Sequence, residues 1–167
     1  MRVLVTGRAG SGKTAITREL IRRKYCAFDT DDIDGLSAWQ EIKSGAKVRF
    51  ANNSYVDLQK YRWVWDKKIL ADFLLKHNDV FILGGADNDL SFDRLFDKAF
   101  VLDIKPSVQS NRIKTRADNE YGQDPRMTPL ILERQKKHLS AALKQNHIRI
   151  DVNKPIERVV DELLSYL

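Results

Sequence analysis

The chain has 167 residues, 43% of them hydrophobic and 31% charged, with a net charge of +6 and one cysteine. That length suits one domain with a sizeable core, and a lone cysteine rules out an internal disulfide. Met1 to Thr6 runs too soon into glycines and charges to be a signal peptide or membrane span, so a cytoplasmic protein is expected.

The spacing of apolar residues predicts the elements in chain order. Arg2 to Thr6 reads as a buried strand and Lys13 to Lys24 as a helix, with Ile16 and Leu20 four apart. Tyr25 to Phe28 reads as a second strand, with Cys26 as a small core residue, ending in the acidic cluster Asp29, Asp31, Asp32 and Asp34. From Gly35 to Tyr61 no period holds, and Trp39, Phe50 and Tyr55 are scattered among polar residues. Arg62 to His77 predicts a helix through Ile69, Leu70, Phe73 and Leu74. Val80 to Leu83 predicts a third strand, stopped by Gly84 and Gly85. Lys98 to Ile104 follows as a fourth strand, Ser107 to Asp118 as a helix after Pro106, and Asn119 to Pro129 as a loop. Thr128 to Gln145 makes a long helix, Ile148 to Ile150 a fifth strand and Ile156 to Tyr166 a closing helix. Alternating strands and helices need crossovers, which cover both faces of a parallel sheet. The expected fold class is α/β, a three-layer α/β/α sandwich on a five-stranded parallel sheet, with residues 1–167 as a single domain.

Gly7-Arg8-Ala9-Gly10-Ser11-Gly12-Lys13-Thr14 fits the pattern G-x-x-x-x-G-K-S/T in full, between a predicted strand and a predicted helix. Glycines let successive backbone N–H groups turn inward on a phosphate, and the helix adds its positive end. Lys13 is placed to reach the β- and γ-phosphates as a flexible point charge, and the Thr14 hydroxyl to ligate Mg²⁺. The whole loop is therefore a candidate site for a nucleoside triphosphate, with ATP and Mg²⁺ the expected cofactors.

With that motif the chain resembles the P-loop kinases of the adenylate kinase, shikimate kinase and nucleoside monophosphate kinase group over most of its length. The resemblance implies an adenylate kinase-like P-loop NTPase fold with a small lid at 119–129 and an acceptor-binding insertion at 35–65. Asp29-Thr30-Asp31 is similar to the Asp-x-Asp of shikimate kinases, where one carboxylate helps hold Mg²⁺ and the other meets the acceptor. That similarity makes Asp29 a metal carboxylate and places Asp29, Asp31 and Asp32 beside the substrate. Gly84-Gly85 resembles that family's substrate-side glycines. Arg112 and Arg116 resemble the arginines beside the lid, and Asp151-Val-Asn-Lys-Pro155 resembles the loop flanking adenine, which adds Asn153 and Pro155 as nucleotide contacts. Asp34-Gly35, Trp39 and Trp63-Val-Trp65 are similar to blocks in a bacterial branch of kinase-like proteins whose acceptor is undefined. The third strand departs from many NTPases by ending in glycines rather than a metal-anchoring aspartate. Asp29 takes that place, with Asp87 and Asp89 as substitutes.

The residues themselves leave two readings of Asp29 to Asp34, a polar strand end with a helix cap or a site at the carboxyl edge of the sheet. On the second reading, Asp31 orients or deprotonates an acceptor hydroxyl. Arg112 and Arg116, four apart on one helix face, are either surface arginines or neutralise charge on the transferred phosphoryl group. Arg126 swings in if the lid closes. Trp39, Trp63 and Trp65 either pack or floor an acceptor pocket, where Arg62 would meet an anionic acceptor. His77, His138 and His147 lack metal-ligand spacing and receive no catalytic role. Lys105 to Arg149 holds ten Lys and Arg against four Asp and Glu, a patch that suits nucleotides or nucleic acid. The leading expectation is an ATP- and Mg²⁺-dependent kinase of a small-molecule acceptor. The alternatives are a polynucleotide kinase and a nucleotide-binding switch without a phosphoryl acceptor.

Overall fold

A computed structural model describes residues 1–117 and 119–167. In chain order it has β1 (Arg2–Thr6), α1 (Lys13–Arg22), β2 (Ala27–Asp29), β3 (Ser37–Glu41), β4 (Lys47–Val48), β5 (Tyr61–Trp65), α2 (Lys67–Leu75), β6 (Val80–Gly84), β7 (Lys98–Asp103), α3 (Pro106–Thr115), α4 (Met127–Lys144), β8 (Ile148–Asp151) and α5 (Ile156–Ser165). Short 3-10 turns span Thr30–Asp32 and Asp89–Leu95. The main sheet is parallel, in the order β2-β6-β1-β7-β8. All five of its strands correspond to predicted ones.

Alternation along β1 explains the layers. Val3 and Val5 point into a core shared with Ile16 and Leu20 of α1 and Val159, Val160 and Leu163 of α5. Leu4 points the other way, into a core with Leu70 and Leu74 of α2, Ile82 and Phe92. A strand buried on both faces reads as a continuous apolar run, as Val3-Leu-Val does. The central place of β1, beside β6, brings the loop after it to the carboxyl edge, where open α/β sheets bind ligands.

The predicted helix Arg62 to His77 begins late. Its first four residues belong to β5, which pairs antiparallel with β3 in a second sheet ordered β4-β3-β5, with Trp39 opposite Trp63. The aromatic and β-branched run Tyr61-Arg-Trp-Val-Trp65 favours an extended strand. Asp66 then starts α2 by accepting from Lys68 N (3.0 Å) and Ile69 N (3.2 Å). Sequence periodicity failed here because only Trp39, Val64 and Trp65 of these strands are buried, so no in-and-out alternation marks them.

Three other expectations shift. Cys26 is exposed, one residue before β2, and is no core residue. The helix expected over Ser107 to Asp118 ends at Thr115, with Arg116 extended (φ −69°, ψ 141°), and Asp118 lies outside the described residues. The loop expected to reach Pro129 stops at Arg126, because a proline is tolerated in the first turn of a helix such as α4.

Candidate functional site

The loop after β1 lies against the end of β6, with Gly7 N donating to Gly84 O at 3.3 Å. A Cβ at Gly85 would stand 2.3 Å from Gly7 O, so only glycine permits this approach. Gly12 precedes α1 in the left-handed region (φ 98°), and no side chain caps the helix, which leaves its first amides for a ligand. Behind the loop, Gln109 Nε2 donates to Ala9 O (2.7 Å) and Gln135 Oε1 accepts from Arg8 N (2.8 Å).

Lys13 folds back so that Nζ donates to Gly7 O (2.9 Å) and Arg8 O (3.3 Å). Among the described residues no carboxylate lies within ion-pair distance of it. Burial lowers its pKa, against the pull of Asp29 and Asp31. A desolvated ammonium held only by carbonyls fits an anionic ligand. Thr14 Oγ1 donates to Asp29 Oδ2 at 2.9 Å, and Asp29 Oδ1 accepts from Asp31 N at 3.2 Å. Asp29 is therefore at once the cap of a 3-10 turn and a partner of the loop threonine. A hydroxyl and a carboxylate side by side are the hard oxygen donors that suit Mg²⁺. Removal from water raises the Asp31 pKa, and Asp29 raises it further.

Loop, acidic turn and small sheet enclose one cavity of about 770 Å³. Gly7, Gly10, Gly12, Lys13 and Thr14 line it with Arg112 and Arg116, and beyond Asp31, Asp32 and Asp34 the wall is Trp39, Trp63, Tyr121, Asp87 and Arg134. Trp39 meets Trp63 at a centroid distance of 5.2 Å and Tyr121 at 5.6 Å. The 119–126 segment is tied to the insertion: Ser54 O accepts from Gly122 N (3.2 Å) and Asp124 N (3.4 Å), and Glu120 Oε1 accepts from Asn53 N (2.8 Å).

Several expected site residues lie elsewhere. Gly84 is a packing position, since a Cβ there would stand 2.2 Å from Thr30 Oγ1 and 2.5 Å from Trp65. Arg62 is exposed and donates to Gln40 Oε1 across the small sheet, outside the cavity lining. Asn153, which accepts from Lys105 N at 2.9 Å, and Pro155 are outside the lining too. Arg126 pairs with Asp124 and covers the Tyr55 ring. Trp65 stacks on Phe92 in the core. Arg116 lines the cavity from just past the end of α3, bonded to Tyr121 O, rather than sharing a helix face with Arg112, which bonds Val152 O. Asp89 is buried, accepting from Ala86 N and Leu90 N, while Asp87 reaches the cavity. Arg134, paired with Asp87, was missed. The available signal was helical spacing, because Met127, Ile131, Gln135 and His138 form the buried face of α4 and Arg134 adjoins it.

The family model described as AAA domain matches residues 3–139, most of the chain. The chain belongs to the AAA domain family. No curated protein matches the sequence of this AAA domain protein. Solved structures do match its fold. A gluconokinase from Sinorhizobium meliloti 1021 aligns at 16% identity and TM-score 0.57, covering 98% of this chain and 89% of that one. A shikimate kinase from Acinetobacter baumannii, in complex with shikimate, aligns at 14% identity and TM-score 0.61, covering 99% and 93%. A deoxyadenosine kinase from M. mycoides aligns at 14% identity and TM-score 0.57, covering 99% and 97%. The AAA domain protein thus has the P-loop kinase fold of the adenylate and shikimate kinase group. Among the described residues no helix is long and apolar enough to cross a membrane.

Beneath the loop, the AAA domain protein buries a charged cluster. Arg8 NH1 donates to Ala86 O (2.7 Å), and Arg8 NH2 lies 3.2 Å from His138 Nδ1. Since a guanidinium only donates, His138 Nδ1 accepts and Nε2–H donates to Thr6 Oγ1 at 3.0 Å. Burial and the Arg8 charge push the His138 pKa down to about 3. Below pH 6.5 the unfolded chain binds a proton that the folded one refuses, so this contribution to stability is full above 6.5 and falls as pH drops toward 3. Burial raises the Asp89 pKa to about 6, and its contribution is full below 3.8 and lost as pH rises through 6. The two oppose each other between pH 4 and 6. His138→Gln is expected to remove about 2 kcal/mol of acid destabilisation between pH 6 and 4.5, read as a melting temperature that falls less on acidification than that of the parent. Equal pH slopes for the two proteins would refute it.

Proposed function

We propose that this AAA domain protein is a phosphotransferase that moves the γ-phosphoryl group of ATP to a small-molecule acceptor. The observation that carries the reading is the Thr14–Asp29 hydrogen bond beside Lys13, in a cavity that runs from the phosphate loop past Asp31 to an aromatic wall. The fold shared with gluconokinase, shikimate kinase and deoxyadenosine kinase supports it. The basic stretch favours the small acceptor over nucleic acid: Arg112, Arg116 and Arg134 line the cavity, and Arg126 and Arg149 pair with Asp124 and Asp103.

The amides of Gly7 to Thr14 grip the polyphosphate, and Lys13 holds its β- and γ-phosphates. Arg112 and Arg116 offset charge on the moving phosphoryl group. Thr14 and Asp29 would hold Mg²⁺, which would neutralise phosphate charge there. Asp31 directs the acceptor hydroxyl at the terminal phosphorus. An acceptor O–P bond forms as the bond from that phosphorus to the bridging oxygen breaks, ADP leaves with the bridging electron pair, and the hydroxyl proton passes to Asp31.

Asp31 must be ionised to take that proton, so its raised pKa moves the acid limb of the kcat/KM profile, which reports the free protein, above the ordinary 3.8. The rate is expected to climb with pH through this limb, and Asp31→Asn to abolish it. Asp29→Asn is expected to raise the Mg²⁺ concentration for half-maximal turnover by about tenfold or more. A magnesium titration of ADP release measures this. If calorimetry detects no magnesium-assisted binding of ATP to the purified protein, the reading is wrong.

A further inference from the structure

Not every amide of the phosphate loop is available to a ligand. Gly7 N donates to Gly84 O (3.3 Å), Ser11 N to Arg8 O (3.1 Å) and Arg8 N to Gln135 Oε1 (2.8 Å). The amides of Ala9, Gly10 and Gly12 donate to no group among the described residues, and with the first amides of α1 they are the ones left for a phosphate. Such an amide grips a phosphate only if its peptide plane is turned the right way. A trans peptide holds its N–H and C=O on opposite sides, so a bond that fixes one end fixes the aim of the other.

Two buried glutamines fix two such planes from behind the loop, in opposite senses. Gln135 of α4 accepts from Arg8 N, and the other end of that peptide, Gly7 O, meets Lys13 Nζ at 2.9 Å. Gln135 is itself anchored, because its Nε2 donates to Leu102 O at 2.7 Å. Gln109 of α3 instead holds a carbonyl: its Nε2 donates to Ala9 O at 2.7 Å. That bond directs the N–H at the other end of the same peptide, the Gly10 amide, away from α3 and toward the cavity that Gly10 lines. A carbonyl only accepts, so the side-chain amide of Gln109 must be the donor. Gly10 cannot hold the plane unaided, since at φ 79° it occupies a region that glycine enters and leaves freely. Gln109 is a firm mount. It is 1% exposed, and a Cβ on Gly10 would stand 2.9 Å from Ile113 and 3.2 Å from Gln109, so α3 touches the loop at this point.

We propose that Gln109 is a positioning residue for polyphosphate binding, turning the Ala9–Gly10 peptide so that the Gly10 amide faces the phosphate chain, while Gln135 keeps the Arg8 amide turned away from it. This deepens the phosphotransferase reading and rests on its nucleotide site alone. The test follows the Gly10 and Arg8 amide signals by NMR as ADP and Mg²⁺ are added to the isotope-labelled protein, with ADP affinity measured by calorimetry on the same samples. The Gly10 proton is expected to move downfield, as a proton donated to a charged phosphate oxygen does, and the Arg8 proton to move less. Gln109→Met removes the donor without adding charge, and Gln109→Glu in its ionised form sets an oxygen against Ala9 O. Both are expected to raise the Kd for ADP, the second by about tenfold or more, and to weaken the Gly10 response, at temperatures where each variant is folded. Binding of ADP with no response at Gly10, or with the larger response at Arg8, overturns the aim assigned to these amides and leaves the phosphotransferase reading intact. Unchanged ADP affinity in the folded variants, with only the melting temperature lowered, overturns the role of Gln109. No ADP binding to the unmodified protein overturns the nucleotide site, and the phosphotransferase reading with it. The spectrum of the unmodified protein decides the aim of the Gly10 amide even if neither variant folds.

Discussion

Lys13→Ala is expected to lower kcat by about a thousandfold, the loss typical when one preorganised charge donor at a transition state is removed. Lys13 has no carboxylate partner among the described residues and donates only to the Gly7 and Arg8 carbonyls, so little else holds its charge in place. Burial already lowers its pKa, which means the folded state bears a cost for carrying the ammonium there. Removing it therefore leaves the melting temperature unchanged or slightly higher. Activity and stability are expected to part company: single-turnover ADP formation collapses while the thermal unfolding curve stays put. Retention of the parent rate within a few fold would sink the role given to Lys13.

Gly85→Ala is expected to do the reverse, damaging stability and nucleotide binding together. The added methyl would sit 2.3 Å from Gly7 O and 3.3 Å from Gly7 C, and these are backbone atoms that cannot rotate aside. Overpacking of this kind costs about 3 kcal/mol. For a chain of this length that lowers the melting temperature by roughly 6–12 °C. The loop that escapes the clash moves the carbonyl on which Lys13 rests, so ATP affinity falls as well. A variant that melts within two or three degrees of the parent and binds ATP normally would show that the loop does not depend on this approach.

What could be read in advance follows from where the information lies. The phosphate loop is written in eight consecutive residues, Gly7 to Thr14, and its neighbours Val3-Leu-Val and Ile16-x-x-x-Leu20 announce strand and helix by period alone. The five parallel strands were legible because burial on both faces turns them into apolar runs. The small sheet was not. β4 is two residues long, and β5 precedes a strong helical period that starts at Ile69, so the window that detects α2 absorbs Trp63 and Trp65. Only the capping role of Asp66 marks the boundary, and an aspartate in isolation is a weak mark. The aromatic end of the cavity was hidden for another reason. Trp39, Trp63, Asp87, Tyr121 and Arg134 come from five separate segments, and the pairing of Arg134 with Asp87 spans 47 residues of chain. No local pattern encodes it. Cys26 illustrates the opposite error, in which apolar neighbours suggested burial although the strand begins only at Ala27.

The bonds that join Ser54 to Gly122 and Asp124, and Asn53 to Glu120, tie the 119–126 segment to the insertion between β4 and β5, so neither can shift far without the other. If 119–126 covers the nucleotide, as the proposed reaction requires, ADP would leave only by breaking those bonds or by moving the insertion as well. On the proposed reaction, release of the two products would then be linked through these few backbone and side-chain bonds.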